Sequence, residues 1–126
     1  MTTVTACAIV CQALIATRQE VELLRTWKAI VYVESHGDCY AVGDGGLAVG
    51  PAQLHPCYVR DTNRILRRQV FTLADRTNME KCWTMFRVCS LHYAANGGPE
   101  LWAKTFHRGT KDQRDRYWAR VSAVLR

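Results

Sequence analysis

Apolar residues recur at helical spacing in several parts of this chain. From residue 20 onward they follow one another at steps of three or four: Val21, Leu24, Trp27 and Val31. This is the period of an amphipathic helix with one buried face. We predict that the helix ends at about Ser35, because Gly37 follows it and glycine commonly ends helices.

A short hairpin is predicted directly after this helix. Between Tyr40 and Val49, two short apolar runs flank the sequence Gly43-Asp44-Gly45-Gly46, and such a turn is typical of a β-hairpin. Pro51 suits the first position of a following helix, but Pro56 would limit that helix to a single turn.

The second half of the chain predicts further helices. They are expected over Val59–Arg68, from a capping box formed by Thr77 and Glu80 up to Asn96, over Leu101–Phe106, and over Tyr117–Leu125. The predicted fold class is therefore mainly α, of the α+β kind, with helices around a small hairpin. The 126 residues fit one domain, residues 1–126. The four tryptophans fall on helix faces, where core packing is the first explanation and sugar stacking the second.

Residues 1–17 are apolar and carry no charge, and Arg18 ends this run. The run is short for a membrane span, and it lacks the positive region that opens a secretory signal. We expect no stable membrane insertion. Two interpretations remain: an N-terminal helix, or a weak signal peptide whose removal would take away Cys7 and Cys11.

The chain has a formal net charge of +6, and its basic residues cluster in the second half. Such a charge favours a polyanionic partner. Nucleic acid is not favoured, because no basic run with interleaved aromatic residues and no zinc-finger spacing accompanies the charge. An anionic cell-wall polymer fits the same charge.

The six cysteines permit three disulfides in any of 15 connectivities. Cys82 and Cys89 cannot bridge each other within one helix, since they would lie about 10.5 Å apart along its axis. Disulfides would suit an extracellular or cell-wall-acting protein, either secreted or delivered by a phage. The alternatives are reduced, buried cysteines in a cytoplasmic protein, or a zinc site; no CxxC pair supports the zinc site.

Two carboxylates stand at the bends of the segment from residue 34 to residue 53. Glu34 closes the amphipathic helix, where burial would favour its protonated form, and Asp44 lies in a polar turn, where it would stay ionised. A protonated and an ionised carboxyl group together can cleave a glycosidic bond. Asp44 has the alternative of merely shaping the turn. Asp38 is another carboxylate nearby, and we expect it to cap the turn.

Several motifs, in the same order along the chain, resemble those of one protein family. Glu34-Ser35, a glycine-rich turn and residues 50–54, GPAQL, resemble the E-S … G-P-x-Q-[IL] pattern of lysozyme-like peptidoglycan hydrolases. This superfamily holds the invertebrate-type, goose-type and phage lysozymes and the soluble lytic transglycosylases. Residues 58–65 resemble its Y-x-x-D-x-N-R-I stretch, and residues 71–76 its F-T-x-x-D-R stretch. Residues 117–121 stand where the family has Y-W-x-x-V. The resemblance covers residues 24–122.

One motif departs from the family pattern. Residues 105–111 stand where the family has a version of I-H-N-G-G-P, but His107-Arg108 replaces the expected Asn-Gly and Thr110 replaces proline. This departure weakens the inference of substrate contacts from this loop. It also supports the alternative of a protein that binds cell wall or a partner without turnover.

The resemblance implies a lysozyme-like fold and a secreted or phage-delivered antimicrobial hydrolase. This glycosidase would be a muramidase that cuts the bond between N-acetylmuramic acid and N-acetylglucosamine in peptidoglycan. Glu34 would be the general acid and Asp44 the nucleophile, base or electrostatic stabiliser. The expected enzyme is a monomer that needs no metal or cofactor. A lytic transglycosylase of the same fold is the alternative enzyme.

The candidate substrate-binding residues are Gln53, Tyr58, Asp61, Asn63 and His107. Gln53 matches the family's motif glutamine, which can bind the sugar amide or order a water, although it could also be a polar residue at a helix start. Tyr58, Asp61 and Asn63 belong to the second motif and would support the cleft wall. His107 lies in the altered loop.

Overall fold

A computed structural model describes the backbone of residues 3–126 and the side chains of residues 7–14 and 17–126. Within these residues the chain is mainly helical with one small antiparallel sheet, which confirms the predicted mainly α class. The helices are α1 (Thr3–Ser35), α2 (Pro56–Leu66), α3 (Met79–Ala94), α4 (Gly98–His107) and α5 (Lys111–Leu125); the strands are β1 (Val42–Gly43) and β2 (Ala48–Val49).

Helix α1 contains the amphipathic helix expected from residue 20 and most of the apolar run before it. Its later part buries Leu23 and Ile30 completely, whereas Val10 and Leu14 are more than half exposed. The helix ends because His36 and Gly37 take left-handed conformations, with φ of 55° and 85°. Among the described residues, no helix combines the length and the hydropathy needed to cross a bilayer. Met1 and Thr2 lie outside the described residues.

The predicted hairpin forms at the expected place. Val42 pairs with Val49 and Gly43 with Ala48, and a short 3-10 turn over Asp44–Gly46 connects the strands. Asp44 itself has a left-handed backbone, with φ of 51°. Aspartate tolerates this conformation better than most residues do, so the turn can carry a carboxylate at its first position.

The single helical turn predicted from Pro51 does not form. Residues 51–53 form a turn instead, and Leu54 makes an isolated bridge to Val49 that extends the hairpin. The reason lies at Gln53, whose φ of 54° is incompatible with a right-handed helix. Helix α2 then begins at Pro56, where proline occupies the first turn, rather than at Val59.

The capping box predicted for Thr77 and Glu80 is wrong. Thr77 ends a preceding 3-10 helix, and its hydroxyl donates to the carbonyl of Ala74 at 3.2 Å. The N-cap of α3 is Asn78, which accepts a hydrogen bond from the Lys81 amide at 3.0 Å. The capping boxes that do form pair Thr72 with Asp75 and Thr110 with Gln113. The second of them starts α5 at Lys111, six residues before the predicted Tyr117.

The core lies where α1 packs against α3, α4 and α5. Its largest fully buried side chains include Trp102, Tyr117 and Phe86. Trp27 is buried against Phe86, with ring centroids 5.3 Å apart, and the indole of Trp102 donates to the carbonyl of Ala94 at 2.8 Å. Core packing therefore accounts for these two tryptophans.

The six cysteines are free thiols in the structure. Cys82 and Cys89 are buried, Cys39 is partly exposed, and Cys7, Cys11 and Cys57 are exposed. Burial raises the pKa of Cys82 to about 12, so its thiol is unreactive near neutral pH.

Candidate active site

A concave cavity of about 310 Å³ opens where the end of α1, the hairpin and the end of α4 meet. The residues that line it are Glu34, Asp44, Gln53, Leu54, His55, Cys57, Tyr58, Phe106, His107 and Arg108. Four of the predicted site residues besides Glu34 are in this set: Asp44, Gln53, Tyr58 and His107. Two carboxyl groups from separate elements thus face one cleft.

Glu34 reaches the cleft from the last turn of α1. Burial raises its pKa to about 7, against an ordinary value of 4.5, because the ionised carboxylate loses contact with water. A hydrogen bond from the Tyr117 hydroxyl to Oε2, at 3.1 Å, and the charge of Arg120 oppose this rise. The Asp44 charge adds to it. Near neutral pH, Glu34 is therefore protonated in a large fraction of molecules and can donate a proton.

Asp44 reaches the same cleft from the turn of the hairpin and is largely exposed to solvent. Its Oδ2 lies 2.8 Å from Nε2 of His55, so an imidazole fixes the orientation of the carboxylate. The two carboxyl groups have different surroundings, since Glu34 is half-buried and Asp44 is largely exposed, and such a difference is the condition for separate acid and base roles. Asp38 does not line the cleft; its Oδ1 accepts from the Tyr40 amide at 2.9 Å and so caps the turn.

The hydrogen bonds of Gln53 are made to the backbone of the hairpin and of the turn that follows it. Its Nε2 donates to the carbonyls of Ala41 and Gly50, both at 3.0 Å, and these bonds use both amide hydrogens. They tie the start of the hairpin to the turn after it. Only Oε1 remains to accept a hydrogen bond from a substrate in the cleft.

The segment around Pro51 is anchored from two sides. The Ser35 hydroxyl donates to the carbonyl of Pro51 at 2.7 Å, which links the end of α1 to this turn. On the other side, Nη1 of buried Arg76 donates to the carbonyls of Leu47 and Leu54, at 3.0 and 3.1 Å. Gly50, with φ of 89°, lies so close to the Arg76 carbonyl that a Cβ would be 1.7 Å from its oxygen. These contacts hold the hairpin against the body of the domain.

His107 is the last residue of α4 and borders the cleft. Its ring stacks on Tyr117, with centroids 4.3 Å apart and an interplanar angle of 9°. Burial lowers the pKa of His107, and the charge of Arg120 lowers it further. The imidazole is therefore mostly neutral near pH 7 and offers one donor and one acceptor to the cleft.

Tyr58 and Arg108 form the far wall of the cleft. Tyr58 is buried and packs edge-on against Phe106, with centroids 5.4 Å apart. The Arg108 guanidinium lies over the Tyr58 ring at 5.4 Å and donates to Asp61 at 2.6 Å. Arg108, which departs from the family pattern, is thus fixed in the wall of the cleft. One of its N–H groups bonds Asp61, and its other N–H donors remain for a ligand.

Asp61 and Asn63 do not line the cleft. Burial raises the pKa of Asp61, but hydrogen bonds from Arg64, Tyr93 and Arg108 outweigh it, so the pKa lies below its ordinary value. Asp61 therefore holds Arg108 in place. Asn63 is buried and bonds both the amide and the carbonyl of Phe71, at 2.9 and 2.8 Å. It fixes the chain after α2 and does not contact the cleft.

Sequence reasoning gave no role to several cleft residues: Leu54, Cys57, Phe106 and Arg108. No pattern in the sequence predicts the pairing of His55 with Asp44, which lie 11 residues apart in the chain. Tyr117 was noted only as part of a motif, although it contacts Glu34 directly. Their roles depend on contacts between residues distant in the chain, which no local period encodes.

Comparisons with protein-family profiles, with curated proteins and with solved structures gave no significant match to this chain. Among the described residues, no group of three or more His, Cys, Asp and Glu side chains is placed to hold a metal ion.

Proposed function

We propose that this protein is a glycoside hydrolase of lysozyme-like fold that cleaves peptidoglycan between N-acetylmuramic acid and N-acetylglucosamine. The observation that carries the proposal is the half-buried Glu34, whose pKa of about 7 keeps a proton available across a cleft from the exposed carboxyl group of Asp44. Two carboxyl groups in such unlike surroundings suit the protonation and charge stabilisation that glycosidic cleavage needs.

Glu34 acts first in the proposed reaction. Its carboxyl proton moves to the bridging oxygen of the glycosidic bond as the bond to the anomeric carbon breaks, so the leaving sugar departs as a neutral alcohol. The sugar ring left behind develops positive charge. Glu34, now ionised, accepts the hydrogen bond of Tyr117, which stabilises it until it is protonated again.

Asp44 stabilises the positive charge on the ring from the hairpin side of the cleft. As a carboxylate it favours the oxocarbenium-like transition state by charge, and it can also orient the water that completes hydrolysis. Its hydrogen bond to His55 holds the carboxylate in one orientation. That water attacks the anomeric carbon, and the proton it releases goes to the ionised Glu34, which restores the starting state.

The lysozyme-like fold is supported by contacts between motifs that the sequence resemblance named separately. Ser35 of the first motif bonds the turn after the hairpin, Arg76 of the third motif bonds the hairpin and that turn, and Tyr117 of the last motif bonds Glu34. Residues from separate motifs thus contribute to one cleft.

The test is a comparison of purified parent protein with Glu34→Gln on isolated bacterial cell walls. We expect the parent to solubilise the walls and Glu34→Gln to lose activity by about 10²- to 10⁴-fold, the range for a general acid. Glu100→Gln is the matched control, because Glu100 is exposed and is not one of the residues that line the cleft. Solubilisation by Glu34→Gln at the parent rate would refute the acid assignment.

Mass analysis of the released fragments tests the reaction type. A hydrolase releases fragments with a free reducing end, whereas a lytic transglycosylase releases anhydro sugars lighter by one water molecule. Anhydro products would replace the hydrolase proposal with the transglycosylase alternative. A parent protein that binds walls without releasing fragments would favour the non-catalytic binder.

A further inference from the structure

A second cavity, of about 510 Å³, adjoins the cleft on the side of α5. It is lined by His107, Gln113, Arg116, Ala119 and Arg120. His107 lines both cavities, so the two are neighbours. The cleft contains two carboxyl groups, whereas the described lining of this second cavity contains none and carries two guanidinium groups.

The donors of this second cavity share one face of α5. Gln113, Arg116 and Arg120 are spaced by three and four residues, which places their side chains along one stripe of the helix. Neither Arg116 nor Arg120 forms an ion pair or a hydrogen bond with the side chains that the structure describes. The lysines nearby differ, because Lys104 and Lys111 both pair with Asp115, each at 3.0 Å.

Three groups of the second cavity, on Arg120, His107 and Gln113, have ordering contacts before any ligand binds. The Arg120 guanidinium lies 5.4 Å from the centre of the Tyr117 ring, and His107 stacks on the same ring at 4.3 Å. Gln113 uses its Oε1 to accept from the Thr110 amide at 2.9 Å, which leaves the two hydrogens of its NH₂ group as donors. Prior ordering of these groups reduces the entropy lost on binding.

We propose that this cavity binds an oxyanion, a carboxylate or phosphodiester group, carried by the polymer whose backbone occupies the adjacent cleft. Guanidinium groups bind such oxygens through paired N–H donors, and neutral His107 and Gln113 add further donors. The identity of the polymer rests on the proposed function; the preference for an oxyanion rests on the cavity. The site thereby selects anionic wall polymers over uncharged polysaccharides.

The first experiment measures binding of small oxyanions to Glu34→Gln, so that no cleavage intervenes. Inorganic phosphate and acetate are titrated separately while NMR follows the side-chain NH₂ group of Gln113 and the ring of His107, which line the cavity and remain in every variant. We expect saturable shifts at these groups with at least one anion. The pair Arg116→Gln and Arg120→Gln should weaken that binding by about tenfold or more, since two charge-assisted donors are lost.

The matched control is the pair Arg60→Gln and Arg68→Gln in the same Glu34→Gln background. Both residues are exposed, neither lines a cavity named above, and the net charge falls by the same amount. The control should bind phosphate and acetate as Glu34→Gln does. Absence of saturable shifts, or equal weakening in both pairs, would overturn the proposal, because net charge alone would then explain binding.

The second experiment identifies the source of the oxyanion. Sedimentation measures binding of the same variants to walls that retain phosphodiester polymers and to walls stripped of them. The cavity variants should bind intact walls more weakly than the control variants. If stripping removes this difference, the ligand is a phosphodiester; if the difference persists, it is a carboxylate of the peptidoglycan. No difference on either wall would overturn the proposal.

The oxyanion site and the proposed function can be refuted independently of each other. Wall cleavage by the parent together with equal binding of the two variant pairs would refute the oxyanion site alone. Selective weakening of the cavity variants together with no cleavage by the parent would refute the hydrolase alone.

Discussion

The hydroxyl of Tyr117 lies 3.1 Å from Oε2 of Glu34, although 83 residues separate the two in the chain. Tyr117 is fully buried in α5, and Glu34 stands in the last turn of α1. The bond fixes the carboxyl group in the cleft and moderates the rise in its pKa that burial causes. The proton affinity of the candidate acid thus depends on packing between the first and last helices.

Tyr117→Phe should shift the alkaline limb of the activity profile to higher pH. The hydroxyl stabilises the ionised form of Glu34, so its loss raises the pKa of Glu34 further above about 7. The phenyl ring keeps the stacking with His107. The measurement is wall solubilisation as a function of pH, with Tyr40→Phe, which changes an exposed ring, as the control. A limb displaced to lower pH would contradict this assignment.

Glu34 should make the protein less stable as the pH rises from about 4.5 to about 7. In this window the folded state retains the Glu34 proton that the unfolded state releases, so the free energy of unfolding falls with pH. Glu34→Gln removes the penalty. It should be more stable than the parent at pH 8, by up to about 3 kcal/mol, and nearly equal at pH 4.

Urea unfolding at the two pH values measures this difference. Glu100→Gln is the control, since that side chain is mostly exposed. If the stability difference between Glu34→Gln and the parent does not change with pH, folding does not raise the pKa of Glu34.

Asp44→Asn should lower activity more than His55→Gln does. In the proposed reaction the Asp44 charge acts on the sugar directly, whereas His55 acts by orienting Asp44 through the 2.8 Å contact. We expect His55→Gln to lower kcat by about tenfold at most, with little change in KM, and Asp44→Asn by more. The Asp44 side chain is largely exposed and the His55 side chain is 40% exposed, so thermal unfolding should change little. Full activity of Asp44→Asn would restrict Asp44 to a role in the turn.

Cys57 should be the thiol whose alkylation blocks the cleft. It is exposed and lines the cavity with Glu34. Cys82 and Cys89 are buried and have raised pKa values, so they should react only after unfolding. A bulky maleimide should inhibit the parent, whereas Cys57→Ser should remain active after the same treatment. Mass analysis of digested protein identifies the labelled thiols. Inhibition of Cys57→Ser to the same extent would place the sensitive thiol elsewhere.

Gly50→Ala should destabilise the fold severely. The added Cβ would stand 1.7 Å from the Arg76 carbonyl oxygen, in a backbone with φ of 89°, so the turn and the strand behind it must move. We expect a loss of more than about 3 kcal/mol. Gly45→Ala is the control, because its φ of 67° is also left-handed but nothing lies within 4 Å of the added Cβ. It should cost about 1 kcal/mol. Similar losses in denaturant unfolding would contradict the close approach.

Local signals in the sequence predicted the parts of this fold that depend on neighbouring residues. The apolar period from Val21 to Val31 predicted the later part of α1, and the glycine-rich run around Asp44 predicted the hairpin. Both follow from short-range physics: an apolar stripe must be buried on one side, and a left-handed turn needs Gly or Asp. The prediction is wrong at Pro51 and Thr77: Gln53 takes a left-handed backbone and Leu54 bridges to Val49, and the Thr77 hydroxyl bonds the Ala74 carbonyl and does not cap α3.

The sequence by itself determined that the chain is mainly helical, and it marked Glu34 and Asp44 as candidate carboxylates. The tertiary structure alone decided their surroundings: burial at the end of α1, Tyr117 bonded to Glu34, and His55 bonded to Asp44. The tertiary structure also shows that Asn63 bonds the Phe71 carbonyl and does not line the cleft. The physical reason is that proton affinity depends on desolvation and on bonds between distant segments, and these exist only once the helices pack.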